Sequence, residues 1–208
     1  MELDRPAAGE ELNSGRPTVP RQAASVILLR GGDHALEVLL VKRNPDARFM
    51  GGAWVFPGGS VDAQEGEGDG ARRAAAVREV AEEAGIALPS ADALVPFSRW
   101  ITPPQVKIRF DTWFYLVIAP DDAEPTIDGD EIVQWRWYEP RAALQAARGG
   151  EILLVFPTIK HLEQISAFAS AEALVGHAHG REILPVEPRV LLSGETARIV
   201  LPGEPGYD

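Results

Sequence analysis

The chain has 208 residues, 45% hydrophobic and 25% charged, which suits an ordinary globular domain able to bury its own core. Its net charge of −11 argues against a surface that tracks a nucleic-acid backbone, so no DNA or RNA partner is expected. The absence of cysteine excludes disulfides, thiolate metal sites, iron–sulfur clusters and cysteine nucleophiles.

Residues 1–20 are polar and rich in Pro, Gly and Glu, and read as a flexible N-terminal arm ahead of a domain spanning 21–208. They carry no apolar core of a signal peptide. The longest apolar runs, such as Val26–Leu29 and Leu116–Ala119, are too short to cross a bilayer. A cytoplasmic setting without a membrane partner is expected. Ala24–Arg30 and Glu37–Arg43 read as strands of a hairpin turning at Gly31-Gly32-Asp33. Asn44–Gly52 reads as a loop, and Trp54–Phe56 as a short strand stopped by Pro57-Gly58-Gly59. The acidic, glycine-containing stretch Asp62–Gly70 reads as flexible. A helix is expected over Ala71–Ala84, with Asp69 as N-cap and Gly85 as its stop. Strands are expected at Leu94–Ile101, Arg109–Ile118 and Ile132–Tyr138. Pro140–Ala147 reads as a short helix and Pro157–Ala178 as a longer one, with Pro157 in its first turn. The tail, Glu182–Pro202, holds short β-like pieces. Strands mixed with a few helices predict an α/β or α+β sandwich. No Walker-type phosphate loop, G-x-S-x-G or H-E-x-x-H is present.

The chemistry concentrates on the first helix. At about 100° per residue, with Glu79 at zero, Glu82 falls near about −60° and Glu83 near about +40°. Val77, Val80, Ala81 and Ala84 fall on the opposite side and predict a core stripe. Three carboxylates within one turn repel one another unless something positive sits among them. A hard cation with oxygen ligands, Mg²⁺ or Mn²⁺, answers that need and suits diphosphate substrates. A bare E-x-x-E-E is more often a solvated acidic face, here paired with Arg72, Arg73 and Arg78.

The surrounding residues point further. Gly59, Glu65 and Arg78-Glu79-Val80-Ala81-Glu82-Glu83-Ala84-Gly85-Ile86 resemble the Nudix box, G-x5-E-x7-R-E-U-x-E-E-x-G-U, with U an aliphatic residue. The helical half matches at every specified position. The first half departs in spacing: twelve residues rather than seven separate Glu65 from Arg78, read as an insertion around Gly66–Gly70. The resemblance implies a Nudix-type α/β/α sandwich with a mixed β-sheet, and a Nudix hydrolase activity. It implies Glu79, Glu82 and Glu83 as metal ligands, with Glu83, Glu82 and Arg78 in the catalytic machinery and Arg78 orienting a glutamate. Gly58 and Gly59 would shape the loop into the site. The reaction would be attack of water on a diphosphate joining a nucleoside to another group. Glu131, in the acidic loop with Asp128 and Asp130, is the outside candidate for general base; a polar turn is the plainer reading of that loop. Many relatives are dimers, which implies a homodimer.

Leu39–Arg43, Phe56–Gly59, Trp100–Pro103 and Arg109–Thr112 are similar to the coenzyme A diphosphatase branch of that family. This implies CoA or acyl-CoA as substrate. The CoA motif upstream of the box is matched loosely, by Arg43 and Arg48. ADP-ribose, dinucleotides and nucleotide sugars remain open, as does a binding module without turnover, although such modules usually lose box glutamates. The isomerase chemistry known on this fold uses a cysteine, which is missing. Arg43, Arg48 and Arg109 are candidate substrate phosphate clamps, with Arg99 and Lys107 behind them. Trp54, Trp100, Phe110, Trp113 and Phe114 could stack on adenine but more often pack in cores. His161, His177 and His179 read as surface residues.

Overall fold

A computed structural model describes residues 2–3, 12–13, 15–31, 35–47, 49–127, 129–193 and 196–207. Along the chain run β1 (Glu2–Leu3), β2 (Arg21–Arg30), β3 (Glu37–Arg43), β4 (Ala53–Val55), β5 (Gly58–Ser60), α1 (Gly68–Ala84), β6 (Val95–Ile101), β7 (Phe110–Ile118) and β8 (Ile132–Tyr138). Then follow α2 (Pro140–Arg148), β9 (Leu153–Leu154), α3 (Phe156–Ile165), α4 (Ala171–Ala178), β10 (Pro185–Val186), β11 (Arg189–Ser193) and β12 (Thr196–Val200). The main sheet is mixed, in the order β10-β6-β7-β2-β3-β4-β9, with β5 also on β2 and β8 on β3. β2 lies parallel to β7 from Arg21 opposite Phe110 to Leu29 opposite Ile118, and β3 lies antiparallel to β8.

The period of two along the strands divides the core. Ala24, Val26, Leu28, Leu39 and Val41 pack on one face with Ala75, Ala76, Val80 and Ala84 of α1. Ile27, Leu29, Val38 and Leu40 face the other way, onto Leu144, Leu162, Ile165 and Leu174 of α2, α3 and α4. The result is an α/β/α sandwich with a mixed sheet, the fold class that the Nudix resemblance implied.

Several local expectations change. α1 begins at Gly68, so the extra residues of the box lengthen the helix, and only Gly66 and Glu67 separate it from a 3-10 turn at Ala63–Glu65. Asp62–Gly70 is therefore structured, and Glu67, not Asp69, is the N-cap. Asp69 lies in the first turn, where it accepts from Arg73 and from the Tyr115 hydroxyl. The core stripe of α1 excludes Ala81, which is exposed, and includes Glu83. The expected long helix breaks into α3 and α4, because residues 166–170 leave helical geometry and Ser170 caps the second piece by accepting from the Ala173 N–H. The turn at Gly31-Gly32-Asp33 lies partly outside the described residues.

The stretch before residue 20, expected to be a flexible arm, is tied down where it is described. Leu12 bridges to Val106, the Asn13 N–H donates to the Gln105 carbonyl (2.6 Å), and the Thr18 hydroxyl donates to the Lys107 carbonyl (2.9 Å). β1 pairs with β12. Backbone hydrogen bonds hold the segment even though its side chains at 15–19 face solvent.

His161 corrects another expectation. It is 1% exposed, on the inner face of α3, with the rings of Phe56, Phe97, Trp100 and Phe114 around it. Its Nε2 lies 2.6 Å from Ser98 Oγ, and its Nδ1 has no partner among the described residues. Burial pushes its pKa down from 6.5 to about 3. Below about 6.5 the unfolded chain takes up a proton that the folded chain refuses until about 3. The folded state therefore loses stability as pH falls through that window, by up to about 1.4 kcal/mol per pH unit. His161→Phe is expected to lose less stability than the parent chain between pH 6.5 and 5 in denaturant titrations. Parallel pH profiles would refute the assignment.

Candidate active site

The site forms where β5 meets α1. Gly58 and Gly59 bring backbone so close to neighbouring groups that no side chain fits. A Cβ on Gly58 would stand 2.4 Å from the Ala24 carbonyl oxygen, and one on Gly59 would stand 2.3 Å from Glu79 Oε1. The second contact puts the Glu79 carboxylate directly on the strand end. One turn later the Gly58 N–H donates to Glu83 Oε2 (2.9 Å). Two residues of one helix thus dock carboxylates on two consecutive glycines. Gly85, at φ +65°, ends the helix in the left-handed conformation that glycine tolerates.

Arg78 is the hub. Its Nε donates to Glu65 Oε1 (3.0 Å), its Nη1 to Glu79 Oε1 (2.7 Å) and Glu82 Oε2 (3.0 Å), and its Nη2 to the Ser60 carbonyl (3.0 Å). Hydrogen bonding to Glu65, then to Glu79 and Glu82, raises its pKa further. Glu65 meets Arg78 despite the longer spacing between them in the sequence.

The three helical glutamates differ in environment. The Glu83 side chain is 5% exposed, Glu79 14% and Glu82 59%. Burial pushes the Glu83 carboxyl up to about 8, against the lowering effect of the Gly58 N–H. Burial also raises Glu79, with Arg78 opposing. Among the described residues no group of three or more acidic or histidine side chains is gathered as a ready ligand set. The donors nonetheless fit a hard divalent cation. They are all oxygens, and burial of two of them disfavours bare negative charge that a cation would neutralise.

Arg43, at the end of β3, reaches the same place. Its Nη1 lies 3.8 Å from Glu83 Oε1, and its Nη2 donates to Glu131 Oε1 (3.1 Å). The Glu131 loop is pinned to the end of β3, because the Asn44 N–H donates to the Glu131 carbonyl and the Asn44 side chain to the Asp130 carbonyl. Arg43 therefore links the loop acid to the helix acid, a connection that strand periodicity gives no hint of. Arg109 is not in the site. It is 8% exposed and donates to the Thr102 and Thr18 carbonyls and to Glu187 Oε1 (2.6 Å). Its place just before β7 puts the guanidinium against Glu187 of the C-terminal segment, which corrects its expected role as a phosphate clamp. Arg48 and Asp128 lie outside the described residues. Arg99 pairs with Asp111 and Trp113 lies between Arg72 and Arg99, away from the cleft lining.

The carboxylates open into a cavity of about 620 Å³. Gly58, Gly59, Glu79, Glu82, Arg43 and Glu131 line it, together with Trp100, Phe110 and Phe114. Among the described residues its charged lining is four acids, Asp62, Glu79, Glu82 and Glu131, against two cations, Arg21 and Arg43. A diphosphate entering such a site needs a bound cation to offset that excess.

A family model described as the NUDIX domain matches residues 19–155. Nudix hydrolase 7 of Caenorhabditis elegans is 31% identical over 182 residues, covering 70% of this chain and 60% of that protein. An acyl-coenzyme A diphosphatase of Homo sapiens is 30% identical over 120 residues, covering 55% of this chain and 32% of that protein. The chain thus spans less than two thirds of the length of either curated relative. The crystal structure of a NUDIX hydrolase from Alicyclobacillus acidocaldarius superposes with a TM-score of 0.69 at 27% identity, covering 76% of this chain and 96% of that one.

Proposed function

The chain belongs to the NUDIX family of hydrolases, and on that premise we propose that it cleaves the diphosphate of CoA or acyl-CoA at the α1 carboxylate face. Members of this family act on compounds in which a diphosphate links a nucleoside to another group, and they generally use divalent metal ions. The observation that carries the reading is one continuous cavity, acidic where α1 meets Gly58–Gly59 and aromatic beyond. The similarity to the human acyl-coenzyme A diphosphatase and the residues at 39–43, 56–59, 100–103 and 109–112 favour the CoA class.

Glu79, Glu82 and Glu83 would hold the metal. A divalent cation held by these carboxylates would supply charge neutralisation and an activated water. The chain's own residues do the rest. The Gly58 N–H fixes the Glu83 carboxylate, and Arg78 fixes Glu79 and Glu82 against the strand end. Arg43 stands between Glu83 and Glu131, where it can bind a phosphate oxygen or hold Glu131 ready to take a proton from attacking water. Trp100, Phe110 and Phe114 would shield a bound substrate from bulk water on the apolar side of the cavity. No helix among the described residues is long and apolar enough to cross a membrane.

A panel of CoA, acetyl-CoA, ADP-ribose and UDP-glucose, assayed for nucleotide product at matched concentrations, tests the substrate class. The CoA compounds are expected to be cleaved at least about tenfold better than the others, to a phosphopantetheine and an adenosine bisphosphate. A higher kcat/KM for ADP-ribose would move the assignment to a nucleotide-sugar class of pyrophosphatase.

A further inference from the structure

The cavity does not end at the aromatic side chains. It continues under the C-terminal hairpin of β11 and β12, where Pro188, Val190 and Ile199 line it. Val190 and Ile199 are direct partners across the β11–β12 ladder, so their side chains leave the hairpin on the same face. Charge in the cavity segregates by element. Among the described residues, every charged lining residue comes from β2, β3, the β5–α1 region or the loop before β8, and the hairpin, α3 and residues 100–114 supply none, although Arg21 of β2 stands opposite Phe110 in the sheet. From these last segments come Trp100, Val106, Ile108 and Phe156.

The chain leading into the hairpin is anchored on the main sheet. β10 adds in parallel to β6 at Arg99 and Trp100, and the buried Arg109 grips Glu187. The Tyr207 hydroxyl donates to the Glu187 carbonyl (2.8 Å). The hairpin also lies outside residues 19–155, which the family model matches.

We propose that the hairpin, α3 and the 100–110 segment form a subsite for an aliphatic chain carried on the far side of the diphosphate, so that long-tailed nucleoside diphosphate esters are the preferred substrates. The proposal rests on the diphosphatase reading for the placement of the head group. A diphosphate drawn to the α1 end leaves its other substituent to the apolar remainder of the same cavity. Each methylene fully buried there strengthens binding about fourfold.

The test uses adenosine diphosphate esterified on its terminal phosphate with ethanol or octanol. Hydrolysis is measured with the full chain in Mg²⁺, and affinity by calorimetry with Glu83→Gln to suppress turnover. The octyl ester is expected to bind at least about tenfold more tightly than the ethyl ester and to be cleaved with a correspondingly higher kcat/KM. Val190→Asp or Ile199→Asp should lower the octyl-to-ethyl ratio at least about tenfold, and Ile199→Ser in the same direction if the aspartates disturb the hairpin. Equal affinity for the two esters, or an unchanged ratio in all three variants, overturns the subsite. Tighter octyl binding without hydrolysis of either ester would leave the subsite standing and remove the diphosphatase reading. Hydrolysis of both esters without a chain-length gain would do the reverse.

Discussion

Glu83→Gln is expected to reduce turnover roughly a hundred- to ten-thousandfold while leaving the fold intact. The side chain is 5% exposed and accepts from the Gly58 N–H, a bond that a glutamine carbonyl oxygen can also accept. Geometry is thereby largely preserved, and what is lost is the negative charge. That charge is costly in its site, as the upward shift of the carboxyl to about 8 shows. The variant should accordingly unfold at the same temperature as the parent chain or a higher one when no divalent ion is present. A buried acid that weakens the fold calls for a functional explanation, and the proposed cation and phosphate chemistry supplies one. Near-normal turnover in Glu83→Gln would remove Glu83 from the catalytic machinery.

Arg78→Lys is expected to lower kcat and kcat/KM together, by about a hundredfold, with thermal stability nearly unchanged. The guanidinium serves Glu65, Glu79, Glu82 and the Ser60 carbonyl at once, which its planar fork allows. A lysine keeps the positive charge but supplies one short-range ammonium in place of the fork. Glu79 and Glu82 would then lose their fixed positions, and displacement of such groups by about 1 Å can cost about a hundredfold in rate. The effect on stability stays small because lysine keeps a positive charge among Glu65, Glu79 and Glu82 and leaves none of those carboxylates without a cation. A parallel fall in kcat and kcat/KM marks an interaction made in the transition state. A rise in KM at constant kcat would recast Arg78 as a substrate-binding residue.

Features set by local chemistry were legible in the sequence. Glu37–Arg43 carries the apolar run Val38–Val41 of a strand buried on both faces, Ile132–Tyr138 alternates more nearly as a half-buried strand does, and both appear with the expected bounds. Gly85 ends α1 where a glycine stop was expected. The wheel brings Glu79, Glu82 and Glu83 together, but it does not show that Glu83 faces inward. At about 100° per residue Glu83 borders the arc of Ala76, Val80 and Ala84, and only the strand end at Gly58 turns that border into a buried site.

What depends on distant partners was not legible. Arg109 looked like a phosphate clamp, and it is an anchor because Glu187 lies 78 residues further on. His161 looked like a surface residue, and four aromatic side chains, Phe97 and Trp100 of β6, Phe114 of β7 and Phe56 just after β4, enclose it. The added residues between Glu65 and Arg78 suggested a loose loop, yet α1 absorbs them as helix, which keeps Arg78 within reach of Glu65. The tail read as scattered β-like pieces because nothing near 189–200 in sequence announces that Val190 and Ile199 face the cavity.

The most direct test of a cation-dependent carboxylate site is the rate of CoA hydrolysis by the full chain in millimolar Mg²⁺ or Mn²⁺ and again in excess chelator. The assignment predicts turnover with the ion, loss of at least about 99% of it in chelator, and recovery when the ion is returned in excess. Full activity in excess chelator would contradict it.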